Sequence, residues 1–146
     1  MLQRIVVGTD GSDTATDAVS HAIDLAKATG ANLAVVSAYA PAEDVEREEK
    51  VEIPGDVQHE FGPRAQVNLV LDRAAGEAEK AGVEAQPHPV EEDPSEAILK
   101  VAEQTKADLI VVGNKGMTGA KRFLLGSVPN KVSHHAPCSV YIVRTT

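Results

Sequence analysis

Aromatic side chains are nearly missing from this chain, which has no tryptophan, two tyrosines and two phenylalanines in 146 residues. Isoalloxazine rings commonly stack on such side chains, so an FMN carrier of flavodoxin type is poorly served. Cys138 is the single cysteine. It can close no internal disulfide, and with no second thiol to resolve an oxidised one, a redox role has little support. Basic residues are also scarce, with 14 Lys and Arg against 22 Asp and Glu, a formal charge of −8 and a pI near 5.0. No basic stripe offsets that surplus, so the phosphate backbone of nucleic acids and anionic membrane surfaces are repelled. No apolar run approaches the roughly 20 residues that cross a bilayer. Met1-Leu2-Gln3-Arg4 leads straight into a strand-like run without a signal-peptide core, and the expected location is the cytosol. Two phosphate-binding signatures are absent as well: the Gly-x4-Gly-Lys-Ser/Thr loop, and the Gly-x-Gly-x-x-Gly fingerprint after the first strand.

What is present is apolar residue in quantity, 42% of the chain, enough for the core of one domain spanning residues 1–146. Ile5-Val6-Val7 reads as a strand closed by Gly8. After Ser12, Ala15, Ala18, Val19, Ala22, Ile23, Leu25 and Ala26 follow helical spacing until Gly30. Asn32 to Ala38 is a second strand, completing a βαβ unit. Residues 41–63, rich in acidic residues with Pro41, Pro54 and Gly55, are too polar to bury much of themselves and read as a mobile loop. A helix is expected over Ala65 to Lys80, a weak strand over Val83 to Val90, and a helix opened by Asp93 and Pro94. Ala107 to Val112 is the strongest strand, Ser127 to His135 a short helix, and Ser139 to Val143 a last strand. Near-continuous apolar strands alternating with helices predict an α/β fold: a parallel sheet covered by helices on both faces. Ligands of such sheets bind beyond the carboxyl ends of the strands where the winding reverses, which directs attention to the loops after the first and fourth strands.

The first of these loops reads Gly8-Thr9-Asp10-Gly11-Ser12-Asp13. Ser12 or Asp13 can cap the following helix, and the loop can be no more than a capped turn. Asp10, ahead of the cap, is the better candidate for a ligand or metal contact. The second loop runs from Gly113 to Ser127, with glycines at 113, 116, 119 and 126 and cations at Lys115, Lys121 and Arg122. An ordinary glycine-rich turn is one reading of it. The other is a concave set of N–H donors ending at a helix N-terminus, with local cations that let an acidic chain accept an anion.

The spacing Gly113-x2-Gly116-x9-Gly126-Ser127 resembles the nucleotide motif of the ATP-binding class of universal stress proteins. The resemblance extends over Ile5 to Ser12, Ala107 to Gly113 and Leu125 to Val132, and so over nearly the whole chain. It implies a Rossmann-like, five-stranded open sheet with strand order 3-2-1-4-5 and a bound adenine nucleotide. By that likeness Gly113, Gly116, Gly126 and Ser127 hold ribose and phosphates, and Gly8, Thr9 and Asp10 flank the adenine. Ala38 occupies an adenine-pocket position, and Val128 and Pro129 lie beside the phosphates. The chain departs from many relatives in having Asn114-Lys115 where a Ser-Arg or Ser-His pair is common, and Gly8 where some carry proline. It looks most like short actinobacterial members, some of which favour cyclic AMP, so both ATP and cyclic AMP are expected ligands.

The expected function is a nucleotide-responsive binding protein of the stress response. Slow ATP hydrolysis, with Asp10 helping to hold Mg²⁺ and Lys115 steadying phosphate, is an enzymatic alternative that lacks an evident water-activating base. A ligand-free, partner-binding scaffold is another. Ser127 and His134 do not make a nucleophile and base, because seven residues of helix separate them by about 10 Å. His134 and His135 suit the helix C-terminus instead. The acidic residues from Glu43 to Glu49 read as solvated surface or part of a lid. The last strand should lie at a sheet edge, where Val140, Ile142 and Val143 invite pairing. Relatives of this type usually dimerise through it, which makes a homodimer through residues 139–144 the expected assembly.

Overall fold

The computed structural model describes residues 2–40, 62–114 and 125–145. Its elements are β1 (Arg4–Gly8), α1 (Asp13–Thr29), β2 (Asn32–Ala38), α2 (Pro63–Lys80), β3 (Ala85–Val90), α3 (Pro94–Thr105), β4 (Leu109–Gly113), α4 (Ser127–His135) and β5 (Ser139–Val143). The five strands form one sheet in the order β3-β2-β1-β4-β5, every pair parallel, as the resemblance implied. The expected loop at 41–63 and the acidic lid within it fall almost wholly on residues 41–61, outside the described residues.

Alternation along the strands divides the core into two layers. Ile5 and Val7 of β1, Leu33 and Val35 of β2 and Val111 of β4 pack under α1 and α2 with Ala18, Ala22, Leu71 and Ala78. Val6, Val36, Ile110 and Val112 point the other way, onto Ala97, Ile98 and Val101 of α3 and Val132 of α4. Strands buried on both faces must be apolar at every position, which is why they read as continuous runs rather than alternating ones.

Boundaries moved where local bonding outweighed composition. Helix α2 starts at Pro63 rather than Ala65, because proline needs no amide donor at the first helical position. Strand β3 starts at Ala85 rather than Val83, since the Val83 N–H is held by the Ala78 carbonyl as the chain leaves α2. Strand β4 starts at Leu109 rather than Ala107, because the Ala107 N–H donates to the Ala102 carbonyl at the end of α3. Asp108 accepts from the backbone N–H groups of Gln3 and Arg4, fastening the start of β1 to that of β4, and those two bonds hold its carboxyl below the usual carboxylate range.

The sheet has two unlike edges. In β3 the Val90 carbonyl accepts from Tyr39 N–H, so Val90, His88 and Gln86 turn their backbone groups toward β2, while Pro87 and Pro89 turn theirs outward. An outward proline has no N–H to offer a partner strand. In β5 the Val143 carbonyl accepts from Asn114 N–H, which leaves Val140 and Ile142 with N–H and C=O directed outward. Tyr141 and Ile142 are 39% and 37% exposed.

Candidate functional site

The winding reverses between β1 and β4, because α1 covers one face of the sheet and α3 the other. At the carboxyl ends of those two strands lies an open cleft enclosing about 380 Å³ of space continuous with solvent. One wall is Gly8, Thr9, Asp10, Ser12, Thr14 and Ala15; the other is Gly113, Val128 and Pro129, with Ile98 and Val112 behind.

The first wall is built by its own polar groups. Thr9 N–H donates to the Val36 carbonyl at 2.9 Å, continuing the β1 to β2 ladder past the strand. Thr9 Oγ1 accepts from Gly11 N–H at 3.1 Å, and Asp10 Oδ1 accepts from Ser12 N–H at 2.9 Å. Ser12 is the N-cap of α1, its Oγ accepting from Ala15 N–H. These nested bonds make a tight turn that needs Gly11 at φ +82°, where a Cβ would also lie 2.8 Å from Val70 Cγ2 of α2. Gly8 serves a related purpose. A Cβ there would come within 2.9 Å of Ile98 Cγ1, so the missing side chain lets α3 close on β1. Closeness at Gly8 is thus closeness to Ile98 as well as to the cleft. Thr9 is the most enclosed polar residue here, 3% exposed. Its oxygen is engaged as an acceptor while its O–H has no acceptor among the described residues.

The second wall is built differently. Asn114 accepts from Gly126 N–H through its backbone carbonyl, bringing the chain back to β4. Gly126 is then the N-cap of α4, and no side chain caps that helix. Amides of a first helical turn have no acceptor within the helix, so those of Ser127 and Val128 are available donors, and Pro129 carries none. Helix α4 is braced by Lys131, whose Nζ is 2.6 Å from Glu96 Oε1 and 4.0 Å from Asp93 Oδ2 of the α3 N-terminus. Burial raises the Asp93 carboxyl, but hydrogen bonds from Ser95 and Glu96 and the Lys131 charge outweigh it and hold the group below the usual range.

Of the residues expected in the site, Gly8, Thr9, Asp10, Gly113, Val128 and Pro129 meet in the cleft. Gly126 and Ser127 immediately precede that lining without belonging to it. Ala38 does not line it: half-buried at the end of β2, it packs against the α3-side core. Lys115 and Gly116 lie outside the described residues. Ser12, Thr14, Ala15, Ile98 and Val112 line the cleft and were not expected there. His134 and His135 lie in the last turn of α4, exposed, as helix-end residues. Among the described residues no three His, Cys, Asp or Glu side chains converge as a metal site, and no helix is long and apolar enough to cross a membrane.

A family model described as the universal stress protein family matches residues 1–144. The chain belongs to that family. A universal stress protein of Mycobacterium tuberculosis is 38% identical over 145 residues, covering 99% of this chain and 97% of the relative. A solved universal stress protein in complex with cAMP is 36% identical with a TM-score of 0.75, covering 99% of each chain. The universal stress protein UspA from Lactobacillus plantarum superposes with a TM-score of 0.79 at 24% identity over 98% of each chain, which bears out the fold.

Proposed function

We propose that the cleft binds an adenine nucleotide and that the chain acts in the cytosol as a nucleotide-responsive regulatory protein. The observation that carries this reading is the pairing, at the switch point, of a self-bonded wall from the loop after β1 with an uncapped helix terminus from α4. The first suits a flat base and the second an anion. The cAMP complex of a relative 36% identical to this chain supports the same ligand class here. In this reading Gly8, Thr9 and Asp10 flank the adenine, with Ala38 contributing from behind through the end of β2. Gly113, Gly116, Gly126 and Ser127 hold ribose and phosphate, Val128 and Pro129 bound the phosphate side, and Lys115 adds positive charge. ATP would bring Mg²⁺ with its phosphates. Asp10 is the lining carboxylate that would meet that ion, with its Oδ1 already accepting from Ser12 N–H. Asp10 is also the only carboxylate among the described lining residues, which favours binding over hydrolysis.

The assembly that fits this reading is a homodimer through β5, residues 139–144. Outward groups of Val140 can pair with those of Ile142 on a second copy in an antiparallel ladder, a match that a two-fold axis beside Tyr141 repeats. Calorimetric titration of nucleotide-stripped protein with ATP, ADP, AMP and cyclic AMP, with and without Mg²⁺, tests the ligand. Saturable binding of one or more is the expected result. No binding of any would leave a ligand-free scaffold in its place.

A further inference from the structure

We propose that Asn114 couples nucleotide occupancy of the cleft to pairing at the β5 edge. The proposal rests on the nucleotide-binding reading and specifies its regulation. Asn114 directly follows Gly113, a lining residue, and takes part in four hydrogen bonds to three residues. Its N–H donates to the Val143 carbonyl at 2.8 Å, and its carbonyl accepts from Gly126 N–H at 2.9 Å. Its side-chain Oδ1 accepts both the Thr145 N–H at 2.9 Å and the Thr145 hydroxyl at 2.8 Å. One residue thus fixes the end of β4, the N-cap of the anion-facing helix and the chain just beyond the edge strand.

This linkage is short. Gly126 sets where the Ser127 and Val128 amides point, so a ligand drawing on those donors acts on Gly126 N–H and, through it, on the Asn114 carbonyl. The Thr145 clamp holds the segment that continues β5, and with it the alignment of the outward groups of Val140 and Ile142. Contiguous hydrogen-bonded segments of this kind can carry coupling between sites, and the coupling is reciprocal. Asn114 is on this account a positioning residue that touches neither ligand nor partner. A merely structural tie would cost stability in both states alike and leave the influence of one site on the other unchanged.

The test is sedimentation velocity of the nucleotide-stripped full chain, with and without saturating cyclic AMP or ATP with Mg²⁺, alongside calorimetry on each variant. Wild type is expected to change its dimer dissociation constant by about fivefold or more on saturation, a common size for allosteric coupling. Asn114→Ala should bind nucleotide and dimerise, with that ratio reduced toward 1, because the side-chain bonds to Thr145 are lost while the backbone bonds remain. Asn114→Asp keeps an acceptor oxygen for Thr145 and should restore the ratio. Thr145→Val removes only the hydroxyl bond; it should shrink the ratio, and it supplies the reading should Asn114→Ala fail to fold. An unchanged ratio in Asn114→Ala or Thr145→Val overturns the proposal, as does a nucleotide-binding wild type that stays monomeric or dimerises equally in both states. A wild type that binds no nucleotide overturns the underlying reading and the proposal with it, and calorimetry distinguishes the two failures.

Discussion

The two walls of the cleft use their polar groups in opposite ways. Along Gly8 to Ser12, the oxygens of Thr9, Asp10 and Ser12 accept from the backbone amides of Gly11, Ser12 and Ala15, so this wall holds its shape with its own bonds. Along Gly126 to Pro129 no side chain caps the helix, and amide donors remain to be satisfied. A wall that completes its own bonds can select a ligand by shape, while a wall that leaves donors open can select it by charge. A nucleotide needs both. The division also explains how an acidic chain can bind an anion: the attraction is local, from aligned amides, and does not depend on the net field.

The largest effect is expected from adding a charge to the open wall. Ser127→Asp puts a carboxylate where phosphate should sit, yet an acidic residue in the first turn favours the helix dipole by about 0.3–1 kcal/mol. Nucleotide affinity should fall at least about 100-fold, on the order of 2.7 kcal/mol, while the unliganded protein melts at the same temperature or higher. Calorimetry and thermal unfolding on one sample check both signs. Retained affinity would break the contrast between the walls.

The closed wall should respond through the fold. Gly11→Ala forces a Cβ into the left-handed region and against Val70, costing about 1–3 kcal/mol by strain and overpacking. Denaturant unfolding should show that loss directly, and affinity should weaken only as far as the turn is displaced. A more modest effect is expected away from both walls. His88 on β3 has a buried Nε2 without a partner among the described residues, and burial holds its imidazole below the usual range. Neutral His88 is favoured in the folded state, so the unfolded chain takes up the proton first as pH falls. Stability from this group is full above about pH 6.5 and is lost as pH drops toward the lower folded value. Melting scans across that window should show the loss, and His88→Leu should flatten it without moving nucleotide affinity. The smallest effect is expected from Asp10→Asn. The amide oxygen can still accept from Ser12 N–H, so metal-free cyclic AMP binding should change by less than about threefold, under 1 kcal/mol. A larger drop in cyclic AMP titrations would mean that the carboxylate charge itself contacts the ligand, and that the first wall selects by more than shape.

The sheet and its helices were legible because two-sided burial and capping leave local marks: unbroken runs such as Ile5-Val6-Val7, and Asp93-Pro94 at the start of α3. Strand β3 was faint for a physical reason, since the two prolines that protect its edge also weaken its strand signature. The loops of the site were legible by their glycines, and the resemblance added Val128 and Pro129. Ile98 and Val112 could not be singled out, because an apolar residue lining a cleft has the same spacing as one buried in the core. Nor did Gly8 announce that its missing side chain accommodates Ile98, a contact made across 90 positions of sequence. The place assigned to Ala38 came from likeness alone, and its side chain packs into the core beside the site.

The most direct test of the two-walled site is an amide chemical-shift map of isotopically labelled protein titrated with cyclic AMP. The account predicts that Gly8, Thr9 and Asp10 shift together with Gly113, Ser127 and Val128 along one saturation curve, while the amides of β3 stay in place. Shifts confined to one wall, or centred on residues outside both, would contradict it.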